Sequence, residues 1–307
     1  MPFRDKLLAK KKGIKASSIE TYLRNIRRLR KIKNALPIPE TDHKWVTSKA
    51  LLDWHDKQPL NVRRHLSTAA QIALSVYGKE SDAWKKRQSE SMKEFDDDRR
   101  QRKMTDKQKK NMPAKGFDTL KGVISTMKRE LRHILVKPSA DWTFPELLRI
   151  QELIILSLYY DYPLRLDYAT LQTKKTSGNC IYKNKKKPRG WHIQLEDYKT
   201  AKTMGQKTFK PNAKNQRLLN KFVPAVENLT KHGYLLSNQS KLKMSKQVLS
   251  KKLLSLTKRR IGREFSVQLL RVLYAMKNRG ILESAKQVSE KLMHSTEQSL
   301  HYAKKKD

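Results

Sequence analysis

"NCIYKNKKKPRGWHIQLEDYKTAKTMGQKTFKPN" (residues 179–212) holds the only good strand signal in this chain. In its second half Trp191, Ile193 and Leu195 alternate with His192, Gln194 and Glu196, the two-residue period that puts successive side chains on opposite faces of a sheet. "NCIYK" before it has the same character, and the lysine-rich "NKKKPRG" between them carries the proline and glycine of a turn. "QKTFKPN" offers a third strand. Outside this stretch the apolar residues recur at helical spacing, so the expected fold class is mainly α with a small antiparallel β-hairpin or sheet.

Upstream, "PELLRIQELIILSLYYDYPLRLDYATLQT" (145–173) predicts two helices broken at Pro163. The proline-bearing "KPSADWTFP" (137–145) before it reads as a linker, which gives a helical first domain over 1–136 and a second domain over 137–307. In the first domain Ile19, Tyr22, Leu23, Ile26 and Leu29 form one helical stripe, opposite a row of arginines and lysines. Further on, "SDAWKKRQSESMKEFDDDRRQRKMTDKQKKNM" (81–112) reads as a solvated helix with a mobile segment over 104–113. "FDTLKGVISTMKRELRHILV" (117–136) returns to helix. Downstream of the strands the chain is helical and basic, and no repeat of solenoid period is present.

The 307 residues include 69 Lys and Arg against 29 Asp and Glu, a formal net charge of +40. That length has room for two cores, and a charge this large points to a polyanionic partner. Nucleic acid is the usual one, where Lys and Arg displace condensed counterions. Cys180 is the single cysteine, which excludes an intrachain disulfide and a CxxC zinc site. Neither a metal nor a cofactor is expected. The longest apolar run, "LIILSLYY" (153–160), is too short to cross a bilayer, and the basic N-terminus lacks the apolar core of a secretory signal. The expectation is an intracellular protein without a membrane partner. Trp45, Trp54, Trp84 and Trp142 read as core or interface residues, and His192 and Cys180 as packing or surface residues of the hairpin.

Four segments in the second half carry candidate chemistry. "YPLRLDYATL" (162–171) contains Arg165, and "EDYKTAKTMGQKTFK" (196–210) contains Lys199, with Lys202 as its rival. "SVQLLRVLYAMKNRG" (266–280) spaces Gln268 and Arg271 three apart, and "LMHSTEQSLHYAKK" (292–305) holds His294 and Tyr302. In this order they resemble the boxes of the tyrosine recombinase, or phage integrase, family: Arg, Lys, His-x-x-Arg, His or Trp, Tyr. The resemblance covers roughly 142–306 and rests on the order and spacing of the four together. It implies a catalytic set of Arg165, Lys199, Gln268, Arg271, His294 and Tyr302, an N-terminal helical core-binding domain, and no metal or cofactor. It also implies double-stranded DNA as partner, a tetramer on two synapsed sites, and a DNA-associated intracellular location. The lysine-rich style looks like members from mobile elements or large DNA viruses, which implies a host nucleus or viral replication site.

The chemistry so implied is DNA strand cleavage and rejoining. Two arginines neutralise the pentavalent phosphate through forked hydrogen bonds, Lys199 protonates the departing 5′-oxygen, and Tyr302 attacks in line to leave a 3′-phosphotyrosine. Three departures from the family pattern stand out. Gln268 occupies the usual histidine position and can donate a hydrogen bond but carry no charge. The gap from His294 to Tyr302 is one residue shorter than usual, which turns a helical side chain by about 100°. Asp167 follows Arg165 by two residues rather than three. A type IB topoisomerase, or an inactive DNA-binding descendant of a recombinase, are the alternatives. In the plainer reading Arg165 pairs with Asp167, Lys199 is a surface charge, Gln268 and Arg271 are an exposed polar pair, His294 caps a helix and Tyr302 is amphipathic.

Overall fold

The computed structural model describes residues 2–11, 13–14, 16–31, 38–101 and 104–291. Among these the chain is mainly helical with one three-stranded antiparallel sheet, and it divides into two compact units, 1–104 and 105–307.

The first unit contains α1 (Phe3–Lys10), α2 (Ala16–Lys31), α3 (Lys49–Asp56), α4 (Leu60–Val76) and α5 (Asp82–Arg100). Ile19, Leu23, Ile26 and Leu29 of α2 are buried, with Tyr22 packed at the edge of the same core, as their spacing predicts. Ala69, Ala70 and Ala73 of α4 are buried in the same core, and α4 packs against α5 through Thr68, which accepts from Gln88, and Gln71, which donates to the Trp84 carbonyl. Trp84 is fully buried and its indole N–H donates to the Val46 carbonyl at 2.8 Å. Trp45 is buried beside it, and Trp54 packs at the core's margin.

The second unit begins with α6 (Asp106–Lys110), α7 (Thr119–Glu130) and α8 (Arg132–Leu135). The sequence puts a domain boundary at 136/137, whereas the structure divides the chain at 104/105. The reason is packing: Phe117, Leu120, Ile124, Met127, Leu131 and Ile134 lie in one core with Trp142 and the helices that follow. "KPSADWTFP" is therefore a turn inside the second unit, where the Trp142 indole donates to the Ile134 carbonyl at 3.1 Å. The segment over 104–113, expected to be mobile, is ordered: Thr105 and Gln108 form a reciprocal capping box at α6, and Pro113 is buried.

α9 (Phe144–Asp161) runs through the middle of this unit. Its start is fixed by a capping box between Thr143 and Glu146 and by Pro145 in the first turn. Leu147, Ile150, Leu153, Ile154, Leu156, Leu158 and Tyr159 are all buried, so the helix is surrounded by protein on most sides. It ends at Asp161, and no second α-helix follows Pro163. The chain makes only a 3-10 turn over Asp167–Thr170.

Strands β1 (Cys180–Asn184), β2 (Gly190–Leu195) and β3 (Lys207–Phe209) form the sheet in the order β1-β2-β3, with Tyr182 opposite His192 and Ile193 opposite both Ile181 and Phe209. Ile181, Trp191, Ile193 and Leu195 belong to the core, and β2 also meets α11 (Ala213–Leu229). The alternating partners His192 and Gln194 are buried as well, so β2 is covered on both faces. The short α10 (Ala201–Met204) lies between β2 and β3. Then come α12 (Lys246–Ile261), α13 (Val267–Lys277) and α14 (Arg279–Lys291). No described helix is long and apolar enough to cross a membrane.

Candidate active site

The site is built around the turn that follows α9. Two buried tyrosine hydroxyls hold its backbone: Tyr159 donates to the Arg165 carbonyl at 2.7 Å, and Tyr168 donates to the Tyr162 carbonyl at 2.7 Å while lying 3.0 Å from that of Leu158. The two rings meet edge to face with centroids 5.0 Å apart. Burial pushes both phenols well above their ordinary pKa, with the charge of Asp167 adding to the effect. Both hydroxyls therefore stay protonated and keep donating. This bracing fixes where Arg165 and Asp167 leave the chain.

Arg165 is half-buried and Asp167 is buried. Burial raises the Asp167 carboxyl above its ordinary pKa, opposed by the positive charges of Lys246 and then Arg165 and by backbone N–H groups. Arg271, half-buried on α13, has its guanidinium pKa lowered, first by burial and then by repulsion from Arg165, with Asp167 pulling the other way. Arg165 and Arg271 thus come from separate elements into each other's field. Neither forms a direct ion pair among the described residues. Lys246 opens α12, whose first turn is capped by the Ser245 hydroxyl and which packs on the 3-10 turn bearing Asp167. Three cations face one buried carboxylate, an excess of positive charge suited to an anion such as a phosphodiester.

Gln268 lies one turn before Arg271 on α13, on the same side and exposed. The helix start is set by Ser266, whose hydroxyl accepts from the Leu269 N–H at 3.1 Å. Lys199 sits in the turn after β2 and Lys202 on α10, both exposed, and neither makes a hydrogen bond or ion pair to the arginine cluster. The structure leaves these two lysines on equal terms. His294, His301 and Tyr302 lie outside the described residues.

The structure therefore brings together Arg165 and Arg271, with Gln268 on the helix of the second. It adds Lys246, Tyr159 and Tyr168, which the sequence reading passes over. The tyrosines flank Arg165 at six residues before and three after, a signal visible only once the turn between them is known. Lys246 carries no spacing signal beyond following a capping serine. Among the described residues no three His, Cys, Asp or Glu side chains are grouped as metal ligands.

No protein-family model matches the chain, and no curated protein does. Among solved structures it is similar to XerA recombinase, at 12% identity over 99% of this chain and 94% of that one, with a TM-score of 0.38. It is also similar to lambda integrase, residues 75–356, bound to DNA, at 13% identity over 96% and 91% of the two chains, with a TM-score of 0.45.

Proposed function

We propose that this chain is a site-specific DNA recombinase that cleaves and rejoins strands of duplex DNA through a 3′-phosphotyrosine. The observation that carries the reading is the approach of Arg165 and Arg271 around a single buried carboxylate, with Lys246 adding charge. Two forked donors that repel one another gain most from a phosphate between them, because its non-bridging oxygens accept from both. In the reaction Tyr302 attacks the scissile phosphorus in line, and its phenol proton passes to solvent water as the O–P bond forms. Arg165, Arg271, the Gln268 amide and His294 hold the developing charge on the equatorial oxygens. Lys199, or Lys202 in its place, protonates the 5′-oxygen as the P–O bond breaks. The 5′-hydroxyl of a partner duplex then attacks the phosphotyrosine and displaces Tyr302. The helical first unit and the high positive charge suit a protein that grips duplex DNA, and strand exchange calls for a tetramer on two synapsed sites. The protein would work wherever its DNA is held, in a host nucleus or at a viral replication site.

Gln268 supports a second reading, an inactive DNA-binding descendant, because glutamine cannot serve as an acid or base at that position. One experiment separates the two: a nicked suicide duplex incubated without divalent metal, followed by denaturing electrophoresis. The wild type is expected to form a denaturant-stable adduct that Tyr302→Phe abolishes, and Arg165→Ala or Arg271→Ala to slow it on the order of a hundred- to a thousandfold. Tight binding with no adduct on a broad sequence library overturns the recombinase reading. Relaxation of supercoils without exchange between duplexes would assign the topoisomerase alternative.

A further inference from the structure

The residues just inside the second unit, 110–118, run along α13 and hold it at both ends. Ahead of the helix, the Glu264 N–H donates to Asn111 Oδ1 at 2.8 Å, and the Arg263 guanidinium donates to the Lys110 carbonyl. At its far end Lys277 Nζ donates to Asp118 Oδ1 at 2.5 Å. Between these, the buried ring of Phe117 stacks on Tyr160 with centroids 5.2 Å apart and an interplanar angle of 11°. It also meets Tyr274 edge to face at 5.3 Å and 75°. The Tyr160 hydroxyl closes the arrangement by donating to the same Asp118 oxygen at 3.1 Å.

The partners have consequences for the candidate site. Tyr274 and Lys277 lie one and two turns beyond Arg271 on α13, and Tyr160 lies on α9 five residues before Arg165. Phe117 and Asp118 therefore join the helix that carries the second arginine to the end of the helix that precedes the first. The inner face of α13 is anchored by Leu269, Leu270 and Leu273, but apolar packing leaves some freedom to slide and roll, and directional contacts remove it. No direct ion pair between Arg271 and Asp167 does that work.

We propose that residues 110–118 are a positioning strap: Asn111, Phe117 and Asp118 set the height and roll of α13, and so the separation of Arg271 from Arg165, without touching the reacting phosphate. The assignment rests on Arg165 and Arg271 being phosphate ligands. Lys277 holds the Asp118 carboxyl below its usual range, so the pair is intact through the neutral range.

The test uses the full chain. Asp118 and Lys277 are exposed enough, at 51% and 41% of their side chains, for substitutions to leave folding intact. Asp118→Ala and Asn111→Ala are expected to slow single-turnover adduct formation on the suicide duplex by about ten- to a hundredfold, while anisotropy titrations of uncleaved duplex show unchanged affinity. The exchange Asp118→Lys with Lys277→Asp should restore the rate lost in Asp118→Ala. Hydrogen exchange should show faster exchange over 267–277 in Asp118→Ala and none elsewhere in the unit. An unchanged rate in Asp118→Ala, or a slowed one that the charge exchange fails to recover, overturns the strap. If the wild type forms no adduct, the recombinase reading fails by itself. Hydrogen exchange then decides the strap alone, and unchanged protection over 267–277 overturns it.

Discussion

Under the proposed function, Gln268 is where a single side chain sets the character of the chemistry. A histidine there would titrate near neutrality, and the glutamine amide has the same donor at every accessible pH. Gln268 is exposed and one turn from Arg271, so an imidazole at the position meets the phosphate from the same side. Gln268→His is expected to speed adduct formation by about tenfold and to give the rate a new dependence on pH, rising as the pH falls through about 6.5. Single-turnover rates of both proteins between pH 5.5 and 8.5 measure it. A parallel profile for the two would mean that residue 268 does not face the phosphate. Arg165 and Arg271 were legible in the sequence through the order and spacing of four segments together, since locally Arg165 reads as a partner of Asp167 and Arg271 as half of an exposed polar pair with Gln268. Lys246, Tyr159 and Tyr168 were not, because a lysine among many carries no signature and a hydroxyl donating to a carbonyl six residues away leaves no period.

Among the elements, the hairpin is the most directly encoded, since Trp191, Ile193 and Leu195 alternate and all three are buried. Its closing residue has a tighter constraint than alternation. Gly190 has φ +116°, and a Cβ there would stand 2.7 Å from Gln216 Oε1, the atom that accepts the Trp191 N–H at 2.7 Å. Gly190→Ala is expected to destabilise the second unit by about 1–3 kcal/mol, a fall of roughly 2–4 °C in Tm for each kcal/mol. Scanning calorimetry reads it, and an unchanged transition would show that the turn relaxes without cost. Two elements escaped the sequence reading for physical reasons. The segment around Pro163 has helical composition, yet the Tyr159 and Tyr168 hydroxyls bond the Arg165 and Tyr162 carbonyls, and the chain makes a 3-10 turn over Asp167–Thr170 instead. The segment over 104–113 reads as solvent-exposed because it is rich in lysine, and its order comes from a capping box and from partners more than a hundred residues away, Arg263 and Glu264.

At the scale of the whole chain, the charge of +40 and the division into units make separate demands. A protein that neutralises phosphates loses duplex affinity with salt, by a log–log slope of about −0.9 for each phosphate engaged, so binding measured at several salt concentrations counts the contacts. The division is tested by cutting the chain. A fragment of residues 105–307 keeps the second core whole. One of 137–307, which begins where composition suggests a domain should, lacks Phe117, Leu120, Ile124, Met127, Leu131 and Ile134. Each large apolar side chain of that kind contributes about 1.5–3 kcal/mol on burial. Losing six together exceeds or consumes the roughly 5–15 kcal/mol that holds a domain folded. The shorter fragment also exposes the face of α9 that α7 covers, so it is expected to be insoluble or to lack a cooperative thermal transition, while 105–307 unfolds cooperatively. Cooperative unfolding of 137–307 at a comparable Tm would mean that α7 and α8 lean on a core able to stand without them. The boundary drawn from composition would then be the physical one.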